Sequence, residues 1–299
     1  MAFKDMKKNR ATSMAKLTEE LTKVNSNKPG PDDRFWKPEV DKAGNGYAVI
    51  RFLPAVEGED VPYVRIFEHA FQGPGGWYIE KSLSTLGEAD PCGEYNGKLW
   101  ATGTKENQEI VRKQKRKLSF VANILVVSDK AHPECEGKVF LYKFGKKIFD
   151  KITAAMTPEF EDEQPINPFD MWEGANFKLK IRQVEGYRNF DKSEFDSPSA
   201  ISEDDDELEA IYNSEYKLQP LIARSEFKTY EQLQERLYRV LGLNAAPAQS
   251  AMPSVDAADP SASRSAPPAR AASTDVPFAA DDDGGDDDLD FFKRLGIEQ

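Results

Sequence analysis

The sequence predicts a mainly β domain with accompanying helices, built as a small barrel or sandwich. Three observations point there. Short runs rich in β-branched and aromatic residues recur between Gly-containing turns. One of them, residues 177–182 (FKLKIR), alternates strictly between apolar and basic side chains, the period-2 pattern of a strand with one solvated face. Hydrophobic residues make up 39% of the 299, enough for a core, while no apolar run is long enough to span a bilayer.

The elements follow in order. Met14, Leu17, Leu21 and Val24 recur at helical spacing, with Thr12 or Ser13 as a cap. A helix this short is not stable alone, so it needs the core or a partner. Residues 47–53 (YAVIRFL) form the first strand after a Gly-Asn-Gly turn. Residues 77–80 follow Gly75-Gly76, residues 118–127 (LSFVANILVV) form the longest strand, and residues 139–144 follow Gly137. Phe227, Tyr230, Leu233, Leu237 and Val240 define a closing helix. Its signals are a Thr229–Gln232 capping box and Gly242 as its stop. Residues 245–280 hold 25 Ala, Pro or Ser among 36, a composition that cannot bury enough apolar surface to offset chain entropy. Beyond this linker, seven Asp lie within residues 281–290, followed by Phe291, Phe292, Leu295 and Ile297. Such an acidic-hydrophobic end reads as a peptide docking motif, placed to compete with nucleic acid for the domain's own basic groove.

Net charge is -12, but it is not evenly spread. Residues 243–299 carry a net of -7, whereas residues 105–151 carry +6 and residues 1–30 carry +4. This separation points to nucleic-acid binding combined with an interaction tail. Two cysteines, Cys92 and Cys135, make no disulfide framework, and the N-terminus lacks the apolar region of a secretory signal. The expected compartment is a reducing cytoplasm.

The signatures of common enzymes are absent: no GxGxxG before a helix, no Walker loop, no GxSxG and no HExxH. Acidic clusters at residues 159–163 and 203–209, flanked by Pro or Ser, read as exposed loops. Glu161, Asp162 and Glu163, or Asp204, Asp205 and Asp206, would supply the carboxylates of an alternative Mg²⁺-dependent nuclease. Basic residues interleaved with aromatics carry more weight. Arg112, Lys113, Lys115, Arg116 and Lys117 lead into Phe120; Tyr142, Lys143 and Phe144 precede Lys146 and Lys147; Arg182 precedes Tyr187, Arg188 and Phe190. Single-stranded nucleic acid calls for this pairing, because cations follow phosphates and flat rings stack on exposed bases. On a small barrel such residues line a groove, as in OB-folds.

The stretches GNGYAVIRFLP (residues 44–54), WYIE (77–80), KRKLSFVANILVVSD (115–129), EGKVFLYKFGKKIFDKI (136–152) and WEGANFKLKIRQVEGY (172–187) resemble the helix-destabilising single-stranded DNA-binding proteins of T-even-type bacteriophages. The resemblance implies an OB-fold core with a small inserted subdomain and a flexible N-terminal arm. A disordered acidic tail completes the chain. The implied boundaries are an arm at 1–28, a core at 29–242, a linker at 243–280 and a tail at 281–299. It also implies a groove lined by Arg51, Arg112, Lys115, Arg116, Lys117, Tyr142, Lys143, Tyr187 and Phe190, to which the basic clusters add Lys113 and Lys146. Trp100 and Phe120 stand at family tyrosines and Val121 at a family tryptophan. The arm residues Lys7, Lys8, Arg10, Thr12 and Ser13 are implied to contact a second copy along DNA. The tail residues Asp286, Asp287, Asp288, Phe291 and Phe292 are implied to recruit phage DNA polymerase, helicase loader and recombination proteins in the host bacterial cytoplasm. An RNA-binding regulator shares the groove chemistry and stands as a second alternative. The family's zinc site uses one His and three Cys. Here His69 and Cys92 match while Ser82 and Tyr95 fill the other positions, so the chain is expected to fold without zinc.

Overall fold

A computed structural model describes residues 32–160 and 162–243. The arm, its helix, Glu161, the linker and the acidic tail lie outside the described residues. The chain divides into two units, residues 1–36 and 37–299. In the first, Asp32 accepts from the Arg34 guanidinium just before the short strand β1 (Phe35–Trp36).

The second unit is organised around an antiparallel sheet. Its strands are β2 (Gly46–Phe52), β3 (Tyr63–Gly73), β4 (Gly76–Lys81), β5 (Lys117–Ser128), β6 (Val139–Gly145), β7 (Ala175–Val184), β8 (Tyr187–Asn189) and β9 (Glu194–Pro198). The strands predicted at 47–53, 77–80, 118–127, 139–144 and 177–182 fall on β2, β4, β5, β6 and β7. β5 is the shared strand. One edge pairs with β6 from Ser119 to Leu125. The other edge pairs with β3 through residues 117–122 and then with β2 through residues 124–128, where a bulge falls at Val49/Ile50. A strand that changes partner along one edge curls the sheet, and the bulge adds to the bend. Phe52 sits at the centre of the enclosed core, its ring 5.5–5.8 Å from those of Phe144, Phe169 and Phe177.

Among the described residues five α-helices accompany the sheet: α1 (Pro91–Ala101), α2 (Lys105–Gln114), α3 (Lys146–Met156), α4 (Asp205–Asn213) and α5 (Tyr230–Leu241). Asp90 caps α1 with Pro91 in the first turn, and Thr104 caps α2. The acidic run at 203–209 is not the loop it resembles. Asp204 accepts from the Asp206 N–H as the cap of α4, and the acids that follow sit at the positive end of that helix. α5 has the predicted capping box and a left-handed Gly242. It packs against the β3–β4 hairpin, where the Gly75 N–H donates to Val240 O. A Cβ at Gly75 would lie 2.1 Å from Arg239 O and one at Gly73 2.5 Å from Val240 O, so both positions need glycine. No described helix is long and apolar enough to cross a membrane.

One polar defect lies behind the sheet. Asn123 exchanges two hydrogen bonds with the Tyr216 backbone, and one Glu59 oxygen accepts from the Leu218 and Gln219 N–H groups. Both Glu215 carboxyl oxygens are buried there with no hydrogen-bond partner among the described residues. Burial, and then the neighbouring Glu59, push the Glu215 pKa up to about 8. The folded chain therefore binds a proton more tightly than the unfolded chain, and this site's contribution is greatest below about pH 4.5 and declines as pH rises towards 8. Glu215→Gln removes the ionisable group. We expect it to stabilise the protein by about 1–3 kcal/mol at pH 9, a gain of several degrees in Tm that disappears at pH 4. Thermal unfolding at the two pH values measures this.

Candidate nucleic-acid interface

The basic segment between α2 and β5 is fixed at both ends. Arg112 and Lys113 are exposed in the last turn of α2, where cations complement the helix dipole. Lys115 caps that helix, its N–H donating to Val111 O at 2.8 Å. The Arg116 guanidinium lies 4.1 Å from the centre of the Phe67 ring, a cation–π contact. Lys117 opens β5 opposite Glu68.

Lys117 and Lys143 meet Lys81 and Lys228 around a cleft of about 340 Å³ whose lining includes Ala70 and Ile79 of the β3–β4 hairpin. Lys143 pairs with Glu68, Lys81 lies 3.8 Å from Glu226, and Lys228 pairs with Glu80. Trp77, 40% exposed, shares the outer face of β4 with Ile79 and Lys81. None of Lys81, Lys228 and Trp77 is among the residues predicted for the groove. Residues 77–81 do not alternate in sequence, so the shared outer face of Trp77 and Lys81 emerges only from the folded strand; Lys228 arrives from the loop before α5 and had no local signal.

The other predicted residues fall in three places. Phe120, Tyr142 and Phe190 are buried. The Phe120 ring, 2% exposed, stacks at 3.9 Å on Phe149, and Tyr142 stacks on Phe144. Val121 is likewise internal. Arg51 is buried on β2, its Nη2 donating to Asp170 O at 2.7 Å and Ser199 O at 2.9 Å. It braces the 170–174 turn, and desolvation lowers its pKa against the opposing charge of Asp170. Tyr187, 65% exposed, stands on β8. Trp100 is half-buried near the end of α1, and Lys146 pairs with Asp150 one helical turn on.

At the positions that resemble the family's metal site, a hydrogen-bond network fills the interior. His69 Nδ1 donates to Gln114 O at 2.9 Å, and Nε2 faces Asp90 Oδ1 at 3.2 Å. Both ring nitrogens thus face acceptors, the arrangement of a doubly protonated imidazolium. Burial alone would lower the His69 pKa, but Cys92 and the hydrogen-bonded Asp90 carboxylate outweigh it and hold the ring well above its ordinary value. Asp90 is held down to about 2: burial opposes ionisation, and the His69 hydrogen bond prevails. Asp90 also accepts from the N–H groups of Leu83, Cys92 and Gly93. Asn96 Nδ2 donates to Cys92 Sγ at 3.7 Å and Gln114 O at 3.3 Å. Ser82 Oγ bonds Ser84, and Tyr95 packs against the cluster formed by Phe71, Tyr78, Cys92, Leu237 and Val240. These residues do not fit zinc: two of four positions lack N or S donors, and the His69 nitrogens are already engaged. Among the described residues no group of three or more His, Cys, Asp or Glu is arranged to hold a metal ion.

The fold and the cleft define a β-rich protein that presents clustered cations beside exposed rings. The chain belongs to the gp32 DNA binding protein-like family, which it matches over residues 44–241. The single-stranded DNA-binding protein of Enterobacteria phage T4 is 43% identical over 239 residues, covering 77% of this chain and 78% of that protein. Its counterpart from Enterobacteria phage T2 is 42% identical over 240 residues with the same coverage. That of Escherichia phage SV14 is 41% identical over 108 residues, 34% of this chain and 96% of the relative.

Asp90→Ala removes the acceptor shared by His69 and three backbone donors. We expect a loss of about 3–5 kcal/mol, read as a lowered midpoint in urea unfolding.

Proposed function

We propose that this chain is a cooperative, sequence-independent single-stranded DNA-binding protein that coats and protects single strands during phage DNA replication, recombination and repair. The observation that carries the reading is the convergence of Lys81, Lys117, Lys143 and Lys228 on one cleft beside Trp77, within a chain whose relatives are named for single-stranded DNA. The curled sheet around β5 serves as an OB-fold-like platform. Phosphates follow the cations of the cleft and of the 112–117 segment, while Trp77 and Trp100 offer ring faces to unpaired bases. Duplex is disfavoured because its base faces are already stacked. Coating then removes secondary structure by mass action, since the open strand binds and the paired strand does not. No chemical step is required of any side chain. The arm joins neighbouring copies on DNA, and the acidic tail recruits replication and recombination proteins.

Fluorescence anisotropy with an oligo-dT strand tests the reading. Affinity is expected to fall steeply with salt, and Lys117→Gln with Lys143→Gln to reduce the log–log salt slope by about 1–1.5. Salt-independent binding, or cleavage of the strand in Mg²⁺, overturns the proposal. Deleting residues 1–24 is expected to abolish clustering on long single strands while leaving the affinity for one short oligonucleotide within about threefold, because an arm–neighbour contact adds only where two copies bind. Titration of long and short strands by the truncated chain separates the two effects.

A further inference from the structure

The alternating strand β7 was legible as one basic face, and the cleft does not use it. Lys178, Lys180 and Arg182 all point outward from β7. Cross-strand partners share a face, so Tyr47, paired with Lys180 in β2, lies beside them. Tyr187, paired with Val184 in β8, closes the same row. Tyr47 is 48% exposed. The row thus has the composition of a single-strand platform, cations in line with a ring at the flank and at the end.

Each of these cations is covered by a carboxylate of this same chain. Lys178 pairs with Asp196 at 2.7 Å, Lys180 with Glu194 at 2.7 Å, and Arg182 Nε donates to Asp191 at 2.8 Å. Glu194 and Asp196 alternate along β9, and outward side chains on a strand repeat every ~6.6 Å. That repeat is close to the spacing of successive phosphates in an extended strand. The hydrogen bond from its cation holds each of the three carboxyls below its ordinary pKa, so they stay charged at neutral pH. The pairs are exposed, and exposed pairs are readily exchanged for another anion.

We infer that the outer face of β7, with Tyr47 and Tyr187, is a second contact strip for single-stranded polynucleotide, and that Asp191, Glu194 and Asp196 occupy it as an intramolecular phosphate mimic. The inference rests on the single-strand reading above. In the resting chain β9 withholds the strip, so the strand is held by the cleft alone. A strand extending past the cleft gains the strip only by displacing carboxylates, which limits the length of polynucleotide each copy covers and keeps the face inert towards unrelated polyanions.

The test uses the full chain and an oligo-dT strand, with binding measured across a salt series. Replacing the mask (Asp191→Asn, Glu194→Gln, Asp196→Asn) is expected to steepen the log–log salt slope by up to about 2, one increment of about 0.7 for each phosphate newly contacted. Glu194→Gln alone, which leaves two pairs intact, gives about 0.7 and serves if the triple variant does not fold. Adding Lys178→Gln, Lys180→Gln and Arg182→Gln to the unmasked chain removes the gain. A control that neutralises three exposed acids elsewhere (Glu57→Gln, Asp60→Asn, Glu209→Gln) matches the change in net charge and leaves the slope as it was. An unchanged slope in the unmasked chain, or one matched by the control, overturns the masked strip while leaving the cleft in place. Failure of the parent chain to bind the strand removes both.

Discussion

The architecture depends on one strand serving two neighbours. β5 holds β6 along one edge and passes from β3 to β2 along the other. Because β3 hangs from the first half of β5, the β3–β4 hairpin projects beside the start of that strand. The basic segment from α2 runs directly into the same start. Lys81 of the hairpin and Lys117 of β5 are thereby set on one frame of backbone hydrogen bonds. Lys143 joins them because β6 is in register with Val121 of β5.

The second constraint is how a hairpin and two short helices stay together with too few thiolates for a metal. Here a buried charge pair and an aromatic cluster hold them. Asp90 links the start of α1 to the Leu83 backbone and to His69 of β3, and His69 in turn holds the last residue of α2. Such a pair is costly to bury, and the cost is offset because Asp90 also accepts from the Leu83, Cys92 and Gly93 N–H groups. Phe71, Tyr78 and Cys92 then close against Leu237 and Val240 of α5. A metal would impose tetrahedral geometry on four ligands; this network spreads the same task over backbone and side chains from five elements.

Much of the strand framework could be read directly. Composition between glycine turns identified β2, β4, β5 and β6, strict alternation identified β7, and helical spacing with a capping box and a stop glycine identified α5. β3 was missed because Glu68 and His69 interrupt its alternation, and α4 because a run of acids reads as loop until it is placed at a helix N-terminus. For the site, charge patterning singled out Lys117 and Lys143, which line the cleft from β5 and β6. It did not separate outward from inward rings. Phe120 and Tyr142 adjoin cations in sequence, yet their strand positions turn them into the core, since one residue of register decides the face. Arg51 shows the same ambiguity: a cation by composition, a brace behind a turn by position. Asp90 and Asn96 carried no recognisable spacing, because their partners come together only when hairpin and helices fold.

α5 gives the molecule an order of assembly. The hairpin wall of the cleft is built from residues 63–81, but its inner face stays uncovered until residues 230–242 arrive to cover Phe71 and Tyr78. During synthesis, with the N-terminal part emerging first, the curled sheet forms early and the wall remains loose until nearly the whole of the described chain has left the ribosome. A chain arrested before Gly242 would therefore carry most of the cations of the interface on a support that has not yet become rigid.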